Sequence, residues 1–238
     1  MLRRQMQLLH AFKVMALADW LALAGFFTAW ISYAMFARRR TATVGSLLAY
    51  TNRYRLLWMM QTTSRENRVV DAVVVQNLST SPSFFASTTI LIIGGLLAVL
   101  GTQGAADLVK EFPFATITST FVFDLKLMLL LVIFVYAFFR FTWSMRQYTF
   151  GALLIASMPE AKVFESGDAK REEYAERAGR VVGMAAETFN DGLRAYYMAF
   201  AALMWFSSPL AFALATAGIV FLLYQREFRS DVLEVLRG

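Results

Sequence analysis

Three ionisable residues fall inside long, otherwise uncharged stretches of this chain: Asp19, Asp124 and Lys126. A charge at hydrocarbon depth costs at least ~2.5–3.5 kcal/mol, so such residues pair, relay protons or hold ions. Asp124 and Lys126 are two positions apart, so on a helix they point to different sides and cannot readily pair with each other. Two readings stay open. One is structural, an interhelical ion pair between Asp19 and Lys126 or plain solvation at the interface; the other is a proton or cation site built on Asp19 and Asp124.

A second cluster is the string Arg65-Glu66-Asn67-Arg68-Val69-Val70-Asp71. On a helix, Arg65, Arg68 and Asp71 succeed one another at i, i+3 and form one polar stripe. That stripe is either a salt-bridged brace or, with Arg53, a seat for an anionic ligand or lipid head group, since guanidinium groups bind phosphate and carboxylate bidentately. Asn67 adds hydrogen bonding but no catalytic spacing.

Composition removes whole classes of chemistry. The chain has no cysteine, which excludes disulfides, thiolate zinc sites and iron–sulfur clusters. His10 is the single histidine, so multi-histidine metal sites and bis-histidine haem are excluded within one chain, and His10 itself reads as an interfacial residue. Glycine-rich phosphate loops and paired-carboxylate metal motifs are absent from the sequence. No metal, cofactor or catalytic constellation is therefore expected, and an enzyme is not the favoured reading.

The elements that must position these charges belong to a membrane. With 58% apolar, 15% aromatic and 17% charged residues over 238 positions, the chain is too apolar for an average soluble domain. The patterning predicts an all-α, polytopic membrane protein forming a single domain over 1–238, with four spans near 14–36, 83–101, 121–140 and 199–224. The first run is long and followed by Arg38-Arg39-Arg40, a stop-transfer pattern rather than a cleaved signal core. Segments 37–82 and 141–198 read as amphipathic or extended helices on one side. The first of these breaks near Thr62-Thr63-Ser64, and the third span continues to about Ala156. Met158-Pro159 and Ser166-Gly167-Asp168 supply the turns before a stripe from Tyr174 to Tyr196.

Ser81-Pro82 reads as a helix start, with Ser81 as N-cap and Pro82 at the first helical position. Gly94-Gly95 reads as a close approach between neighbouring helices. Pro209 should kink the last span. Counting Lys and Arg gives fifteen on the two long segments against seven on the other side. The positive-inside rule then predicts cytoplasmic long segments and periplasmic termini in a bacterial inner membrane. The net charge of +6 is read the same way, as attraction to anionic lipid rather than to nucleic acid.

Five strings carry a resemblance: Arg65 to Asp71; Ser81-Pro82-Ser83-Phe84-Phe85-Ala86-Ser87-Thr88-Thr89; Phe141-Thr142-Trp143-Ser144 with Arg146-Gln147-Tyr148; Leu193-Arg194-Ala195-Tyr196-Tyr197; and Tyr224-Gln225-Arg226-Glu227-Phe228. From about Asp19 to Phe228 the chain resembles the bacterial and plant membrane family catalogued as domain of unknown function 599. That resemblance implies a polytopic membrane protein and brings no activity. The intramembrane charges and the arginine-rich face favour a homo-oligomeric channel or transport-type protein. The alternative is an accessory or assembly subunit, its partners being lipid and either a second copy or another membrane protein.

Overall fold

In a computed structural model, residues 15–102 and 120–237 are described. His10 and the connection carrying Asp107, Lys110, Glu111 and Pro113 lie outside them. Every regular element among the described residues is helical: α1 Leu17–Val44, α2 Leu47–Thr62, α3 Val69–Gly101, α4 Thr120–Ala156, α5 Ala161–Glu165, α6 Arg171–Leu203, α7 Pro209–Phe228 and α8 Asp231–Arg237, with a 3₁₀ turn at Met204–Phe206. Four segments are long and apolar enough to cross a membrane: Leu17–Arg40, Val69–Gly101, Thr120–Ala156 and Pro209–Arg237.

The chain divides into two compact units. The first takes residues through Arg38, Leu91–Val135 and Arg194–Tyr224, and the second takes Arg39–Ile90, Tyr136–Leu193 and from Gln225 onward. Within the second, α2, α3, α4 and α6 share a core of Met59, Val75, Tyr148, Ile155, Ala178 and Val182. Small residues on α6 let neighbours approach. A Cβ on Gly179 would sit 3.3 Å from the Leu56 Cα, and one on Gly192 would sit 2.5 Å from the Phe141 ring. Within the first unit, Phe26 packs on Phe212 (centroids 5.0 Å) and Trp205 stacks on the same ring at 5.2 Å.

Three expectations change. Pro82 is buried inside α3, a helix of 33 residues, and does not start one. The residues before it hold no helix breaker, so the turn-by-turn ladder begun at Val69 propagates through Ser81 despite the donor that proline removes. Among the described residues, nothing lies within 4 Å of a Cβ added to Gly94 or Gly95, so they mark no close approach there.

The last expected span, 199–224, is two helices rather than one kinked helix. α6 ends at Leu203, the 3₁₀ turn follows, and Pro209 is the first residue of α7, whose start Ser208 caps by accepting from the Ala211 N–H at 3.0 Å. Proline suits that position because its missing N–H would be unpaired anyway. Beyond the break α7 returns beside α6: Trp205 stacks on Phe212, and Tyr197 packs in the cluster of Leu223 and Tyr33. α6 begins in the second unit and ends in the first, while α7 begins in the first and ends in the second. α8 consequently packs against α2, and the Leu48 N–H donates to Glu227 Oε1 at 3.4 Å. The charge count separates these two segments; the fold brings them together.

Candidate functional site

The Arg65–Asp71 string forms the joint between α2 and α3. Asp71 has no solvent exposure (0%). Its Oδ1 accepts from Trp58 Nε1 at 2.6 Å, Thr62 Oγ1 at 3.1 Å and Arg65 Nη1 at 2.5 Å. Its Oδ2 is buried and has no hydrogen-bond partner among the described residues. Asn67 Oδ1 accepts from the Val69 N–H at 2.9 Å and so satisfies one of the unpaired donors at the start of α3.

Arg68 spends its guanidinium on backbone. Nε donates to the Thr62 carbonyl at 3.2 Å, Nη1 to Met158 at 2.7 Å and Nη2 to Pro159 at 2.5 Å. The chain end of α4 is thereby tied to the end of α2, and carbonyls that no helix can pair receive a charged donor. Arg171 Nη1 adds a bond to Ser64 Oγ at 2.7 Å. The i, i+3 stripe read from sequence is not how these residues meet, because only Asp71 lies within α3. Arg65 and Arg68 reach their partners from the connecting turn.

Arg53 belongs elsewhere in the same unit. It lines an open groove of about 630 Å³ between α2 and α6, with Leu56 and Met60 facing Glu172, Glu176, Arg180 and Met184. Next to it, Arg55 donates to Asn52 Oδ1 at 2.7 Å and Thr51 Oγ1 at 3.1 Å. Burial lowers the Arg55 pKa from its ordinary value, and neighbouring Tyr148 pulls the other way.

A partly buried ion pair that the sequence reading did not foresee joins α4 to α6: Arg140 Nη2 donates to Asp191 Oδ2. One turn along α4, Ser144 Oγ donates to the Ala185 carbonyl at 2.8 Å. Asp191 is the single acid in the stretch Thr188–Leu203, which is the signal that could have exposed it.

In the first unit, Asp19 and Lys126, one of the two pairings that the sequence leaves open, make no direct ion pair among the described residues. Both converge on Trp205 instead. Its Nε1 donates to Asp19 Oδ1 at 2.7 Å, and Lys126 Nζ lies 5.6 Å from the Trp205 ring centroid and 5.8 Å from that of Phe206. Lys126 is 2% exposed, so its charge rests on aromatic faces in place of water. Asp124 is exposed and joins neither of them. Among the described residues, no group of three acidic or histidine side chains could hold a metal ion.

These arrangements can brace helices and place single charges at set depths; none of them aligns a nucleophile with a base. The family model described as "Protein of unknown function, DUF599" matches residues 21–232, and the chain belongs to that family. No curated protein and no solved structure matches it.

Proposed function

We propose that this protein is an accessory or assembly subunit of a membrane complex and works through helix surfaces outside the bilayer. The observation that carries this reading is on α3. Crossing ~30 Å of hydrocarbon takes about 20 residues, and α3 has 33. Its first two turns, which we take to be the ones beyond the hydrocarbon, present Val69, Val70, Val73 and Val74 to the outside, Val70 at 68% exposure. Apolar side chains clustered on one such stretch mark a protein contact when lipid does not cover them.

The brace at Asp71 and Arg68 fits this role, since it fixes the α3 start against the end of α4. Purification in mild detergent tests the reading. A partner should co-purify in stoichiometric amount and be lost from a Val70→Asp, Val73→Asp double variant whose melting temperature is unchanged. Recovery of the chain alone from its native membrane, or an unchanged complex in the variant, would reject it.

For topology we infer that α6 is a further crossing, paired with α7, which would put the C-terminal helix on the side of the basic segments. Arg226, Arg229 and Arg237 then join that side, leaving only Arg3, Arg4, Lys13 and Lys110 opposite them. A sharper charge asymmetry supports a cytoplasmic location for those segments in a bacterial inner membrane.

A homo-oligomeric transport protein is the second reading, favoured by one observation: the buried Lys126 against Trp205, with Asp19 on the same indole. Ion flux into liposomes that falls at least tenfold in Lys126→Met would support it over the first.

A further inference from the structure

The outward face of α4 carries a membrane ruler with an unused cation at one end. The exposed residues between Asp124 and Arg146 are Met128, Val132, Tyr136, Phe139 and Trp143, and none is charged. Asp124 and Arg146 are themselves exposed and lie 22 positions apart, about 33 Å at the ~1.5 Å rise of an α-helix. That length matches a hydrocarbon core of ~30 Å. Arg140, which interrupts the hydropathy of this stretch, does not interrupt the face, because it turns inward to Asp191.

At the lower end of the ruler, Arg146 meets no acceptor among the described residues. Trp143 stands one turn before it and Phe150 one turn after, their rings in edge-to-face contact at 6.5 Å. A tryptophan and an arginine on one face at head-group depth match the aromatic belt and the positive flank of a membrane helix.

We propose that Trp143 and Arg146 seat an anionic phospholipid of the adjacent leaflet. The Arg146 guanidinium donates to the phosphate, and the acyl chains run along Trp143 and Phe139. Charge complementarity selects this occupant. Two copies of the chain pairing symmetrically through α4 in one membrane would set Arg146 against Arg146, whereas a phosphodiester offers the acceptors that a planar guanidinium fits. The proposal is independent of whether the protein is an accessory subunit or a transporter.

The test is native mass spectrometry of the full chain, purified from vesicles containing equal phosphatidylglycerol and phosphatidylcholine. Wild type should retain phosphatidylglycerol preferentially. Arg146→Gln should retain about fivefold less, the size expected for one arginine at a membrane surface, and Arg146→Lys an intermediate amount. Arg177→Gln, on the charged face of α6, should match wild type. Equal retention of both lipids by wild type would overturn the proposal, as would undiminished phosphatidylglycerol in a folded Arg146→Gln. A lipid-free wild-type dimer that Arg146→Gln alters would assign the face to a second copy instead.

Discussion

Arg68 reaches across 90 residues of sequence to donate from Nη1 to the Met158 carbonyl at 2.7 Å. Its other two bonds go to Pro159 and Thr62. One side chain thus closes the end of α4, the end of α2 and the approach to α3. Replacing it leaves three carbonyls to find water, and hydrogen bonds to charged groups are worth ~1.5–3 kcal/mol each before compensation. Arg68→Ala should therefore lower unfolding stability by about 2–3 kcal/mol, with Arg68→Lys recovering only part. Thermal melts in detergent check this, and a loss below about 0.5 kcal/mol would remove the brace.

The Arg140–Asp191 pair predicts asymmetric costs. Asp191→Asn strands a mostly buried guanidinium, and breaking a buried pair on one side costs ~3–5 kcal/mol. Arg140 keeps 27% of its side-chain exposure, so the lower end of that range is expected. The Arg140→Leu, Asp191→Leu double variant should be more stable than either single one, as a double-mutant cycle would measure. Additive losses would show that the two residues act separately.

Glycine substitutions should separate contact from open surface. Gly192→Ala puts a methyl against the ring of Phe141, which is fully buried and has no room to yield, for a loss of about 1–3 kcal/mol. Gly94→Ala meets nothing among the described residues and removes a helix-interior glycine, so it should be neutral or gain up to ~1 kcal/mol. Equal effects at the two sites would contradict the packing described for α4 and α6.

Membrane sidedness can be read without background labelling, because the chain has no cysteine. Val235→Cys on α8 and Lys170→Cys before α6 should react with an impermeant maleimide from the same side. Labelling of the two from opposite sides would exclude α6 as a crossing.

What could be read directly from the residues was the long apolar helices. The helix ending at Ala156 was legible past Arg140 because its periodicity continues and Met158-Pro159 stops it. The role of α6 was less legible: its first three turns are dense with charge, and its apolar residues face inward rather than forming an uninterrupted run. Pro82 misled because Ser-Pro is a sound start signal locally, while the absence of any break upstream decides the outcome. Asp19 and Lys126 meet at Trp205, 79 residues beyond Lys126, and no spacing rule connects them. The same holds for Arg68, whose partners are backbone carbonyls and leave no trace in residue type.

On the proposed function, the exposed valines at the start of α3 contact another protein. The most direct test of that contact is a photoreactive amino acid placed at Val70, irradiated in intact native membranes, with the same probe at Lys170 as reference. A single discrete adduct with a heterologous membrane protein at Val70 and none at Lys170 is predicted. Adducts with lipid alone, or the same products from both positions, would contradict it.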